Sequence, residues 1–317
     1  MGTFLCSALA AAALLQQPGS ADSTPALWAR VQRDSGDAST WLELGHAYHR
    51  RAGLYHTHRG TAGPLADTAW ARAELDTLDV ALDRAATLGA GTPVGDTAQL
   101  RRLSAVALRA RLRWELGGRD AAAQTWGGLA AEVRPAPVLE ELGENLLRAC
   151  PRGGVLLTAA ETDSDAAWYL QLRLGLRPDL LVLPLEAWRS DSVFRDRLAT
   201  ELGLPHPAPG AEDGDARLHA LAARRPLCAS MGFAAAPEVR PRVRWEAWPL
   251  VWVAGAVGSG DRVPPQDFVF AALRLALDTG ATWTEPAIAV YRRAVGAAAA
   301  LCGALAVYRV RQEVGCR

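Results

Sequence analysis

The sequence contains no lysine. All 34 of its basic residues are arginine, and 34 acidic residues balance them to a formal net charge of zero. Such a chain has no bulk attraction for nucleic acid or an anionic membrane, so neither is expected as a partner. The phosphate-cradling glycine motifs of dinucleotide-binding and P-loop proteins are missing. Ser230 sits in Ala-Ser-Met-Gly-Phe, which is not the G-x-S-x-G of a hydrolase elbow. His206 and His219 are present, but nothing in the chain sets either beside a serine. The five cysteines form no C-x-x-C or zinc-like spacing. Cys302 and Cys316 are able to pair in an oxidising compartment, whereas Cys150 and Cys228 read as buried free thiols. No cofactor follows. Long apolar runs are also lacking: residues 4–15 are too short to span a bilayer. Followed by Pro18 and Gly19-Ser20-Ala21, they predict an export signal over residues 1–21, although Met1 to Thr3 bring no basic side chain. Cys6 lacks the small residue before it that a lipid anchor requires.

What the chain does have is hydrophobic periodicity, with half of its residues apolar. Residues 22–145 show helical periods and almost no strand signal. Trp41, Leu44, Gly45 and Tyr48 stand at W-x2-L-G-x2-Y spacing, which puts three large side chains on one helix face and a glycine where a partner helix can approach. Leu78, Leu82 and Ala85 suit that partner. A second pair is read over residues 99–116 and 121–132. It is broken at Gly117-Gly118 and carries Ala122, Trp126 and Leu129 at small–aromatic–large positions. This region resembles about two degenerate tetratricopeptide repeats, which implies binding of a protein partner along a concave face; because two repeats make little groove, packing against the following domain is the alternative role. The interval before Leu78 is too long for one repeat, so residues 50–68 are expected to be an inserted loop. Four of the six histidines, His46, His49, His56 and His58, lie in or beside it. Imidazoles so grouped suit zinc or copper. No Asp, Glu or Cys is interleaved, and the alternative places His46 and His49 on the repeat surface and His56 and His58 in a solvated loop.

Residues 146–258 read as a small α/β domain. Apolar runs at residues 155–158 and 180–185 flank a helix expected over residues 166–174, a βαβ unit that implies parallel strands. Further helices are expected at residues 190–202, capped by Ser190 or Asp191, and at 216–224. Strands are expected at residues 226–233 and 249–254, giving a three- or four-stranded, mostly parallel sheet. Ligands of such sheets bind at the carboxyl ends of strands, where the acidic turn Glu161–Asp165 would lie. Its Glu161, Asp163 and Asp165 have the hard oxygens that suit Mg²⁺. Capping of the next helix by Asp163 or Ser164 is the favoured alternative.

Trp168, Tyr169, Leu170 and Gln171, followed by Gly175, Arg177, Pro178 and Asp179, together with Asp163 and Ser164, resemble a segment in the soluble C-terminal region of GT-C-like membrane proteins related to protein O-mannosyltransferases. Ala160, Glu161, Thr162 and Asp165 depart from that pattern, and the membrane-embedded catalytic half has no counterpart here. The resemblance therefore implies a soluble, non-catalytic module. Candidate ligand-binding residues are Glu161, Asp163, Ser164, Asp165, Trp168, Tyr169, Gln171 and Arg177, with helix–sheet packing as the alternative for Trp168, Tyr169 and Gln171, and with Arg177 alternatively shaping the turn into the second strand and pairing with an acid of the acidic turn.

Residues 259–317 read as a closing helical pair, residues 266–278 and roughly 284–310. The small apolar stretch at residues 294–308 is short for a membrane span, and none is expected after residue 21. The fold class expected is α/β with mainly helical flanks. The function expected is that of an exported, periplasmic or extracellular, non-enzymatic interaction or scaffold protein. Two alternatives stand beside it: a ligand-binding or glycan-related enzymatic module using the acidic turn, and a metal-binding protein using the histidines.

Overall fold

The computed structural model describes residues 23–54, 64–204, 214–255 and 257–316. The predicted export signal, His56, His58 and His206 lie outside the described residues. The described chain is mostly helical, built around a small, open, mixed sheet.

Helices α1 (Thr24–Arg33), α2 (Ala38–Gly53) and α3 (Pro64–Leu88) open the chain. Asp37 caps α2 by accepting from the Ser39 and Thr40 amides. The repeat-like residues share a face, as their spacing predicts. Leu44 is buried, Gly45 lies against Leu82 and Leu78 of α3, and Trp28 meets Trp41 edge-on at 6.0 Å. The expected insertion over residues 50–68 is overstated at both ends. α2 continues to Gly53, and α3 begins at Pro64, whose fixed φ suits a first helical position.

Helix α4 (Pro93–Gly127) is two arms divided at Gly118, where φ of 74° breaks the helix. The second arm ends at Gly127 rather than residue 132, because Gly127-Gly128 favours helix termination. α5 (Pro137–Ala149) then delivers the chain to the sheet.

Five strands are ordered β2-β1-β3-β5-β4: β1 (Val155–Thr158), β2 (Leu181–Pro184), β3 (Leu227–Ser230), β4 (Glu246–Ala247) and β5 (Val251–Ala254). The sheet is thus larger and more mixed than the three or four mostly parallel strands expected. β1 pairs parallel with β2 and β3, while β3–β5 and β4–β5 are antiparallel. Helical crossovers join β1 to β2 and β2 to β3, as parallel pairing requires. No α-helix separates β3 from β5, so the chain returns antiparallel. Every residue of β1 and β3 is buried, so both faces of the central sheet are covered.

Between β1 and β2 lies α6 (Glu161–Trp168), continued by a π-turn at Tyr169–Arg173. This helix starts five residues before the expected 166, and its N-cap is Ala160 rather than Asp163 or Ser164. Asp163 stands at the third position and reaches back to accept from the Ala160 and Ala159 amides at 2.8 and 3.0 Å. The acidic segment is therefore the first turn of the helix. After β2 come α7 (Leu185–Ser190), α8 (Ser192–Glu201, capped by Asp191 as one of the two expected caps) and α9 (Gly214–Ala222).

The C-terminal part holds three helices, α10 (Ala271–Thr279), α11 (Thr284–Ala297) and α12 (Leu301–Val307). The single long helix expected to residue 310 is interrupted at Ala298 (φ −142°, ψ 82°). Among the described residues no helix is long and apolar enough to cross a membrane. Cys302 and Cys316 form a disulfide. Cys150 and Cys228 do too, correcting their reading as free thiols. Cys150 directly follows α5, and the turn over residues 151–154 that leads into β1 leaves it beside Cys228 in the middle of β3, with Cα atoms 5.7 Å apart.

One apolar core runs from Leu100 on α4 through the sheet to Val314. Trp114 of α4 packs between Trp168 of α6 and Phe194 of α8, at 5.9 and 6.2 Å. Trp126 meets Tyr169 edge-on at 6.3 Å. The second helix pair thereby donates its aromatics to the α/β core rather than to another repeat.

Candidate functional site: a polar seam and a concave groove

Residues four apart on a helix share a face, and those two apart do not. Glu161 and Asp165 accordingly point from α6 toward α4, while Asp163 turns toward β3. On α4, Arg101 and Ser104 are matched to them one turn apart. The Arg101 guanidinium pairs with Glu161, and the Ser104 hydroxyl donates to Asp165 at 2.6 Å. His49 of α2 approaches Glu161 from a third side, Nε2 to Oε1 at 3.7 Å. Two motifs that are separate in the sequence, the α2 histidines and the acidic turn, meet at one seam between helical and α/β parts.

The electrostatics follow from burial. Asp165 is held well above the usual carboxylate range by burial and by the Glu161 charge, against which Ser104 and Arg101 act. Burial, with the charges of Arg101, His49 and Arg50, brings His46 down to about 4. His49 is also lowered by burial, with Glu161 opposing. His46 Nε2, His49 Nε2 and Arg101 Nε are buried without a hydrogen-bond partner among the described residues.

Asp163 lies at the carboxyl ends of β1 and β3, the point from which the chain departs to opposite sides of β1. Burial raises its carboxyl, while the Ala159 and Ala160 amides and the Ser230 hydroxyl pull it back. With both oxygens occupied, its chemistry is that of a cap. Ser164 is spent on Thr158, hydroxyl to hydroxyl at 2.6 Å. Arg293 of α11 closes this end by donating to the carbonyls of Met231 and Gly232.

The remaining ligand candidates lie at the other end of α6 and do not join the seam. Trp168 Nε1 donates to the Val182 carbonyl at 3.1 Å. Tyr169 is buried against Trp126. Gln171 Nε2 donates to the carbonyls of Arg177 and Leu180 at 3.0 and 2.9 Å. Arg177 donates to the carbonyls of Leu147 and Cys150, closing the end of α5, and pairs with Asp179 rather than with the acidic turn. Asp179 in turn accepts from the Gly153 amide, and Arg177 holds its carboxyl far below the usual range. These residues fasten the α6–β2 connection.

Among the described residues no group of three or more His, Cys, Asp or Glu side chains is disposed to hold a metal ion. Of the four histidines singled out, only His46 and His49 belong to the described residues.

A second feature is a groove of about 1030 Å³ between α3 and α4, closed at one end by residues 124–133. Val106, Leu112, Leu129 and Val133 line it, and Val80, 61% exposed, stands at its side. Five arginines and two aspartates also line it. The sequence carried a signal for this surface: Arg102, Val106, Arg109 and Arg113 recur at helical spacing on one face of α4. Nothing in a linear reading could pair them with α3. A smaller hollow of about 610 Å³ lies between α9 and the β4–β5 edge.

No family model, curated protein or solved structure matches the chain.

Proposed function

We propose that the protein is an exported, non-enzymatic interaction module in which tetratricopeptide-like helices present a binding groove and the α/β part holds them in place. The observation that carries this reading is the α3–α4 groove, where an exposed aliphatic residue stands among arginines on a concave helical surface. The two disulfides support an oxidising compartment, periplasmic or extracellular, because such bonds are rare in reducing cytosol. The packing of Trp114 and Trp126 onto α6 and α8 supports the α/β part as a rigid support. The segment that resembles the GT-C-related soluble region is spent largely on fastening this support, which fits a non-catalytic role. A photo-crosslinking residue at position 80 in the secreted protein tests the reading. A reproducible protein adduct, lost when the same residue is moved to the far face of α1, is the expected result. Absence of any adduct at position 80 removes the proposal.

A second reading is favoured by one observation, the three buried nitrogens of His46, His49 and Arg101 that make no hydrogen bond among the described residues. Buried polar atoms left unpaired cost about 1–3 kcal/mol each, which a small hydroxylated or glycan ligand would relieve. A thermal-shift screen with mono- and oligosaccharides tests it. Stabilisation of the wild type but not of Arg101→Gln is expected under this reading, and no shift with any sugar rejects it.

A further inference from the structure

The charges of the α3–α4 groove are unevenly satisfied. Arg109 is neutralised by Asp76 and Asp79 at 2.9 and 2.6 Å, and Arg102 by Asp83 at 3.2 Å. Arg72, Arg84 and Arg113, which also line the groove, are exposed and have no acidic partner among the described residues. The groove thus presents three uncommitted guanidinium groups around an aliphatic floor, with Val80 standing 61% exposed among them.

We propose that this groove docks an acidic peptide segment of a partner protein, one whose carboxylates are interrupted by aliphatic anchors. The inference rests on the interaction reading above and adds the chemistry of the partner. Charge complementarity carries it: a guanidinium takes a carboxylate through two parallel N–H···O bonds, so each unpaired arginine selects a discrete carboxylate. The floor of Val106, Leu112 and Leu129 selects apolar side chains between them. A uniform polyanion fits less well, because Asp79 and Asp83 stand between the arginines and repel a continuous run of phosphates. The groove is walled by helices, with few free backbone groups, so recognition runs through side chains rather than strand addition.

The test uses the full secreted chain and a fluorescein-labelled synthetic peptide of glutamates with a leucine at every third or fourth position. Three controls accompany it: a peptide with every glutamate replaced by lysine, a peptide of glutamates alone, and a single-stranded oligonucleotide. Fluorescence anisotropy in low salt is expected to show saturable binding of the Glu/Leu peptide. Binding should weaken at least about tenfold in the Arg72→Glu/Arg84→Glu/Arg113→Glu variant and at least about threefold in Val80→Asp. The altered residues are exposed, so both variants should retain the wild-type melting temperature. Should the triple variant fail to fold, Arg84→Gln is read in its place, with a smaller loss expected. Equal affinity for the lysine peptide or the oligonucleotide, unchanged binding in the variants, or no saturable binding overturns the proposal. Sequencing the position-80 crosslink separates the two levels of inference. An adduct to a segment without acidic residues ends this proposal and leaves the interaction reading standing, whereas no adduct ends both.

Discussion

Gly45 of α2 faces Leu82 of α3 with no room between them: a Cβ on Gly45 would collide with the leucine side chain. The W-x2-L-G-x2-Y spacing around Gly45 is therefore a packing requirement of this helix pair. Gly45→Ala should destabilise the protein by about 1–3 kcal/mol, the cost of overpacking exceeding the roughly 1 kcal/mol that alanine gains over glycine within a helix. Gly53→Ala, at the end of the same helix where an added Cβ would meet no described atom within 4 Å, serves as the control and should be neutral or slightly stabilising. Urea unfolding of the two variants makes the comparison, and equal effects would mean that the close approach is absent.

The C-terminal helices hang on two residues of α5. Glu141 accepts from the amides of Ala272 and Leu273 at 2.7 and 2.9 Å, satisfying the open end of α10 from another helix. One turn on, the fully buried Asn145 donates to the Val269 carbonyl, accepts from its amide, and donates to the Tyr291 hydroxyl. Asn145→Ala should cost about 2–4 kcal/mol, because it leaves buried backbone groups unpaired. Hydrogen exchange should quicken in α10 and α11 before the sheet. Uniform quickening across the chain would show that this anchor is not local.

The two disulfides close loops of very different length, with sequence separations of 78 and 14. By chain entropy alone, Cys150–Cys228 contributes about 4.5 kcal/mol and Cys302–Cys316 about 3 kcal/mol. Paired Cys→Ala variants should therefore rank in that order in denaturant unfolding. Peptide mapping of the unreduced protein should recover both linkages, and free thiols at Cys150 and Cys228 would contradict the fold near β1 and β3.

Two seam residues should shape acid stability with opposite signs. His46 has its pKa brought down to about 4, whereas an unfolded histidine titrates near 6.5. The stability from keeping it neutral is complete above about pH 6.5 and is lost as pH falls toward 4, about 3 kcal/mol in all. Asp165 is raised, so its folded form holds a proton that the unfolded chain releases. Its contribution falls as pH rises above the unfolded carboxylate value near 3.9. His46→Gln should flatten the loss of stability between pH 6.5 and 4. Asp165→Asn keeps an acceptor for Ser104 and should be more stable than wild type at pH 7 by about 1 kcal/mol or more. Melting curves across this pH range read both effects, and parallel profiles for the two variants would refute the assignment.

Asp163 provides the contrast. Both its oxygens accept backbone amides, so the amide nitrogen of an asparagine would face an N–H group. Asp163→Asn should destabilise by about 1–3 kcal/mol, opposite in sign to Asp165→Asn. A rise in melting temperature for Asp163→Asn would show that its carboxylate is not acting as a cap.

Local interactions wrote much of the fold into the sequence. The run Val155–Thr158 is the observed β1, because a strand buried on both faces reads as an unbroken apolar stretch. The Gly118 break and the Asp191 cap were visible because glycine and aspartate act within a few residues of themselves. The edge strand β4 was not legible. It is two residues long, Glu246 and Ala247, and carries no apolar run.

The sequence by itself determined where most helices and the central strands form, that β1 and β2 run parallel, and that Gly45 must meet a neighbouring helix. Those outcomes depend on periodicity, capping and the connection between adjacent elements. Only the tertiary structure decided that Cys150 bonds Cys228, that His49 and Arg101 meet Glu161, and that the arginines of α3 and α4 enclose one groove. Each joins side chains from separate elements, and which faces meet is fixed by burial of the shared core, not by anything either segment carries alone.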